Sequence, residues 1–407
     1  MTPSLAVMQT LPDRAPLTSA PNRLRVGLVA LGGLGGSSRV ACELARGLVA
    51  HGHFAVLLSS ADTWWAHDHL EGVDTLGMPV PRTPRAASPG WVEPLTESLV
   101  RAVLEHDLHV LNVHYCVGLA AAAIEARRRL AARGRRLRVC ATLHGTDVTR
   151  FGVHSRQGPE LSAVLRQCDA VTAVSGWLAD EALRTLKLPE RPMVITNGID
   201  TSLFRPRART RVAAVGGQRG RMVLCHASNF RAVKRPLDAI AVLERLRRDD
   251  IDAELWMVGD GPLVEEAQHR AEPLGDAVHF FPATSPATLA HMLGVVDMTV
   301  VTSSSESFGL FALESMACGV PVLGTRCGGL EEIFAADRSG QLAEALLAHV
   351  GDVEDLAARA GVVLRDPAAM QRLRQAALAV GRDAFPRQDQ LRAYARVLTE
   401  LTTEAAA

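Results

Sequence analysis

The feature that most constrains this chain is an alternation of short β-rich runs with amphipathic helical patterns, played through twice. From Leu24 the runs are LRVGLVAL, FAVLLSS, HVLNVHY, RVCATLHG, AVTAVS and MVITNG, with a helical pattern, SRVACELARGLVAHG, between the first two. Strands that alternate with helices pair in parallel, because each return to the sheet passes through a helix on one of its faces. The pattern stops in the polar stretch RPRARTRVAAVGGQRGR (205–221) and restarts with MVLCHAS, AELWMVGDG, VHFFPA, MTVVTS and GVPVLGT. At 407 residues the chain is also long for one core, since cores stop growing at roughly 250–300 residues. Two Rossmann-like, doubly wound α/β domains are predicted, over residues 23–205 and 206–385, facing a central cleft. Residues 1–22 carry four prolines and no continuous apolar run, which predicts a flexible extension rather than a signal peptide.

Composition narrows the partners. Lys+Arg and Asp+Glu both number 44, so no overall field favours nucleic acid or an anionic membrane, and an anionic ligand needs local positive groups. The basic run RRRLAARGRRLR (127–138) has no interleaved aromatics and ends a helical pattern, which reads as a solvated helix end. Seven cysteines without CxxC spacing predict reduced core thiols and no metal site. No run reaches the roughly 18–20 apolar residues of a membrane span. A soluble, cytoplasmic protein is expected, with small-molecule substrates and a homodimer left open.

Four segments carry candidate chemistry. LGGLGGSSR (31–39) is a glycine-rich turn between strand and helix, where backbone N–H groups hold an anion. It departs from the dinucleotide fingerprint, because the sixth position counted from Gly33 is Ser38 and no acidic residue ends the next strand until Asp62. SNFRAVKR (228–235) puts Arg231 and Lys234 after a strand end, where a diphosphate would lie. SSSESFGLFALESMACGVPVLGT (303–325) places Glu306 on a loop and Glu314 two turns into a helix expected to begin near Phe308, with the N–H groups of Phe308, Gly309 and Leu310 aimed at the same space. VHYCVG (113–118) and ATLHGTDVTR (141–150) bring His114, Tyr115, His144, Thr146 and Arg150 to the first domain's side of the cleft. Of the two histidines, His114 suits a structural role and His144, at a strand end before Gly145, a binding loop.

Together these residues resemble the retaining GT-B glycosyltransferases whose second domain carries E-x7-E, here Glu306 to Glu314, from about Leu24 to the C-terminus. Within that class VHYCVG, TLHGTDVT, AVTAVS, SNFRAVKR, VGDGP and ESFGLFALESMACGVPVLGT look like the N-acetyl-α-D-glucosaminyl L-malate synthases, which open bacillithiol biosynthesis. The resemblance implies transfer of N-acetylglucosamine from UDP-GlcNAc to L-malate, without cofactor or metal. His144, Lys234, Glu306 and Arg231 would then serve the chemical step, with front-face attack on the sugar. Gly36, Asn229, Arg231, Lys234, Phe308, Gly309, Leu310 and Glu314 would hold the donor, Glu314 on its ribose; Gly35, Ser37, Tyr115, Thr146 and Arg150 would hold the acceptor. In this architecture the amphipathic run QDQLRAYARVLTEL, within 386–407, would cross back to the first domain. Two departures are visible: Asn229 stands where related transferases place an arginine, and AADRSGQLAEALLAHVGD replaces a shorter D-G-x-x-G-x-L turn. A same-class transferase with another acceptor (inositol phosphate, a lipid-linked sugar or a polysaccharide) and a sugar-nucleotide epimerase on the same fold are the rival readings.

Overall fold

A computed structural model describes residues 23–32, 35–60, 70, 72–79, 89–207 and 221–403. The expected extension (1–22), most of the Arg/Gly-rich linker, and Gly33, Leu34, Trp64 and Trp65 lie outside the described residues. The first sheet has seven parallel strands: β1 (Arg25–Ala30), β2 (Phe54–Ser59), β3 (Asp74–Gly77), β4 (Val110–His114), β5 (Arg138–Leu143), β6 (Ala170–Ala173) and β7 (Met193–Val194), in the order β3-β2-β1-β4-β5-β6-β7. The second has six, also parallel: β8 (Met222–Ser228), β9 (Ala253–Gly259), β10 (Val278–Phe281), β11 (Met298–Val301), β12 (Val322–Thr325) and β13 (Leu347–Ala348), ordered β10-β9-β8-β11-β12-β13. In each sheet the order reverses once, between β1 and β4 and between β8 and β11. A crevice opens beyond the strand ends at such a reversal, and ligands of open α/β sheets bind there.

The central strands are buried along their whole length, as strands covered by helices on both faces must be. Beneath β1 and β4 the core is completed from far away in sequence. Leu391, Tyr394, Ala395, Val397 and Leu398 of the helix Arg387–Thr403 pack with Leu24, Val26, Leu28 and Val110. That helix is pinned by Gln390, which accepts from the Gly198 N–H (3.1 Å) and donates to Asn197 (3.2 Å), and by Arg387, which bonds Asp200 at 2.8 Å.

Two expectations are corrected. The helix carrying Glu314 runs over Leu310–Ala317, because Gly309 at φ 107° breaks helical geometry ahead of it. Glu314 therefore sits one turn into the helix, and it is buried (2% exposed).

Candidate active site between the two sheets

On the second domain, the loops after β8 and β11 are stitched together. Ser304 donates its N–H to the Val233 carbonyl (2.8 Å), and the Thr302 hydroxyl donates to the Arg235 carbonyl (2.8 Å). The buried His226 backs this join, with Nδ1 on the Val300 carbonyl and Nε2 on the Ser228 hydroxyl; burial lowers its pKa to about 4. VGDGP supports the join from behind: at Gly259 and Gly261, both at positive φ, a β-carbon would collide with the carbonyls of Ser228 and Asn229. On this platform Lys234 Nζ donates to Glu306 Oε1 at 2.6 Å, and the Ser303 hydroxyl donates to the same oxygen at 2.7 Å. Lys234 and Glu306, given separate tasks from sequence, form one unit. Asn229 and Arg231 are exposed beside it. Phe308 is buried edge-on against Phe385, and among the described residues nothing accepts from the backbone N–H of Phe308, Gly309 or Leu310. That leaves donors at a helix start, where an anion is stabilised.

On the first domain, His144 follows β5 and is steered by what lies beneath it. Asp147, fully buried, accepts the N–H of Gly145 (2.8 Å) and of His144 (3.2 Å), so its carboxylate ties the loop that presents the imidazole. Burial pushes the Asp147 carboxyl up, and those N–H donors pull it back. His114 is fully buried and bonds His144 at 3.0 Å, which fits the structural role read for it. Tyr115, at φ 73°, stands beside it half-buried; burial and then Asp147 push its hydroxyl up, while Arg231 and Arg150 pull it down. Both guanidinium groups thus act on one phenol from opposite domains. Thr146 is half-exposed and Arg150 exposed, its guanidinium 5.6 Å from the Phe151 ring centre.

The two halves meet. Gly36, in the glycine turn, is exposed, and a β-carbon there would lie 3.6 Å from Leu310; Gly35 and Ser37 flank it at the start of the helix Gly36–Ala50. Gly145 has room only for hydrogen against Ser307, whose carbonyl accepts the Ser175 hydroxyl at 2.6 Å. Glu332 accepts from the N–H of Gly176 (3.0 Å) and of Trp177. Arg39, one turn into the glycine-turn helix, pairs with Glu314 across the cleft and with Glu43 at 2.9 Å on its own helix. Burial alone would lower the Arg39 pKa, but Glu314 and then Glu43 raise it, so the cation is secure. Burial pushes Glu314 up and Arg39 opposes this. Among the described residues no group of three or more His, Cys, Asp or Glu side chains is arranged to hold a metal ion.

Residues 34–203 match the model of Glycosyltransferase Family 4, and residues 213–380 that of Glycosyl transferases group 1. The N-acetyl-α-D-glucosaminyl L-malate synthase of Bacillus anthracis is 30% identical over 351 residues, spanning 84% of this chain and 88% of that protein. The chain belongs to the group 1 glycosyltransferases. The D-inositol 3-phosphate glycosyltransferase 1 of Catenulispora acidiphila is 26% identical over 72% of each chain. Among solved structures, the sucrose-phosphate synthase of Thermosynechococcus elongatus superposes with a TM-score of 0.77 over 95% of this chain and all of that one, at 20% identity. The transferase thus has the GT-B fold, two parallel-sheet domains with the cleft between them.

Arg39 and Asp147 lie inside LGGLGGSSR and ATLHGTDVTR, yet the sequence singles out neither. Arg39 had a visible signal, a cation in the first turn of a helix whose N-terminal dipole opposes it. In this transferase part of the basic run 127–138 is paired with acidic neighbours: Arg127 and Arg138 share Asp169, and Arg129 holds Glu93. Trp91 is packed over Gly118. No helix among the described residues is long and apolar enough to cross a membrane.

Proposed function

We propose that this glycosyltransferase moves N-acetylglucosamine from UDP-GlcNAc to L-malate with retention of the α configuration and without a metal ion. The observation that carries the reading is that Tyr115, at the end of β4, feels cations from both domains, Arg231 and Arg150, while the exposed Gly35 and Gly36 follow the neighbouring strand β1. Those groups suit a small dianion bearing one hydroxyl. The relative from Bacillus anthracis, matched over most of both chains, supports the same acceptor.

In this reading Glu314 takes the ribose hydroxyls. Lys234, Arg231 and the free N–H groups at Phe308 to Leu310 face the diphosphate. Rupture of the anomeric bond leaves negative charge on that diphosphate, and fixed donors in a water-poor cleft are the strongest means of stabilising it. Glu306 holds Lys234 in place beside the sugar, and the departing phosphate oxygen takes the acceptor's proton during front-face attack. These groups supply the positive charge that a metal would otherwise bring.

UDP release is measured with UDP-GlcNAc plus L-malate in EDTA, and the product's anomeric proton by NMR. Malate-dependent release and an α-anomer are expected, with no transfer to succinate, which lacks the hydroxyl. Preference for inositol phosphate, a β-anomer, or activity lost in EDTA and restored by magnesium each overturns the corresponding part.

A further inference from the structure

Beneath His144 lies a chain of buried polar groups that the transfer reaction does not use directly. The Asn112 amide contacts the Cys140 carbonyl (3.4 Å) and the Thr142 hydroxyl (3.0 Å) on one side and His114 Nε2 (2.8 Å) on the other. A backbone carbonyl only accepts, so the atom facing Cys140 is the amide nitrogen and the atom facing His114 is the amide oxygen. That oxygen only accepts as well, so His114 Nε2 carries a proton. His114 is sealed from solvent, and burial together with His144 pushes its pKa well below the ordinary range, so it is neutral. Its Nδ1 is then a bare lone pair. His144 Nε2, 3.0 Å away, must donate to it.

We infer that Asn112 and His114 are positioning residues that lock His144 as its Nε2–H tautomer, so that the nitrogen left for the cleft, Nδ1, can only accept a hydrogen bond. Among the described residues Nδ1 has no protein partner, and it is not among the fully enclosed polar atoms. The lock is anchored on four elements: Asn112 and His114 on β4, Thr142 on β5, Thr172 on β6 (2.9 Å from Thr142), and Tyr394 from the helix Arg387–Thr403, whose hydroxyl reaches Thr142 at 3.5 Å. Asp147, three residues along the same loop, turns its carboxylate to backbone N–H groups. Burial lowers the His144 pKa to about 3, in keeping with a ring that stays neutral. His144 therefore reads a hydroxyl on the substrate and supplies no proton to a leaving group. Its partner is a group with an O–H to give, and an ether or fluorine in that place is refused.

The test is nitrogen NMR of the 15N-histidine-labelled full chain. His144 is assigned by its loss in His144→Gln, and the two ring nitrogens are distinguished by their shifts between pH 6 and 8. A protonated Nε2 and bare Nδ1 are expected throughout. A protonated Nδ1, or an imidazolium titrating in that range, overturns the inference. His114→Asn, whose Oδ1 overlays the ring Nδ1, retains an acceptor for His144 Nε2–H and should keep the tautomer and kcat within about threefold. His114→Leu should release the tautomer and lower kcat about ten- to a hundredfold, the scale of a misplaced reacting geometry, with a smaller change in KM. A folded His114→Leu with wild-type kcat also overturns it. The kinetic arm rests on the proposed transfer, whereas the tautomer does not depend on the acceptor, so a wrong acceptor and a wrong tautomer give different results.

Discussion

At the scale of single residues, the pairing of Lys234 with Glu306 sets the expected kinetics. Lys234→Ala should lower kcat by about 10² to 10³, the usual loss when one group that stabilises transition-state charge is removed. Because Glu306 touches that ammonium at 2.6 Å, Glu306→Ala should lower kcat too, and the double variant should lose much less than the product of the two single losses. Independent, multiplying effects in a steady-state cycle would show that the two act separately. Glu314→Ala differs, since contacts to a ribose are equal in ground and transition states: KM for the nucleotide sugar should rise more than kcat falls. It also strands the Arg39 cation against Glu43 alone. Arg39→Met, which keeps the length of the stem and removes the charge, should raise that same KM, and an unchanged KM would remove Arg39 from the donor side.

At the scale of elements, the returning helix offers a measurable contribution. Tyr394 is fully buried against the first sheet, and Tyr394→Ala should cost about 3 to 5 kcal/mol by denaturant unfolding, the range for emptying a large aromatic site. Elements with strong apolar runs were legible from sequence: β1, β4, β5, β8, β9 and β11 all fall inside the runs that announce them. Two were not. β3 (DTLG) is an edge strand with most of its side chains in solvent, and β13 is two residues long, so neither leaves a hydrophobic pattern to read. The helix start at Leu310 is not legible, because the sequence SFGL does not say that Gly309 takes a left-handed turn before the helix. For the site, strand-end logic located Lys234, Glu306 and His144, since each follows a strand whose end is fixed by topology. The ion pair between Arg39 and Glu314 and the grip of Glu332 on Gly176 and Trp177 join segments far apart in the chain. No local pattern encodes such contacts.

At the scale of the whole molecule, buried neutral histidines set the response to acid. His144 and His226 have folded pKa values lowered to about 3 and about 4 from 6.5, burial being the first cause in each, and His114 shifts the same way. The unfolded chain takes up these protons near pH 6.5 while the folded chain refuses them until far lower, so the stability they confer is complete above pH 6.5 and is lost as pH falls toward 4. Asp147 and Glu314, raised by burial, act in the opposite sense, while His53 and His109, also lowered first by burial, act with the three histidines. The Tm from calorimetry should therefore fall between pH 7 and pH 5, and His226→Asn should flatten the slope; a Tm flat across that range would contradict the assignment. The helix Arg387–Thr403 has a consequence for how the chain is made. As the polypeptide leaves the ribosome, β1 to β7 are complete long before Leu391, Tyr394 and Leu398 exist to cover the layer of Leu24, Val26 and Leu28. The first domain must wait through the synthesis of the entire second one with that apolar face bare, so nascent chains paused between the two are the species that a holding chaperone would meet and that crowding would drive to aggregate.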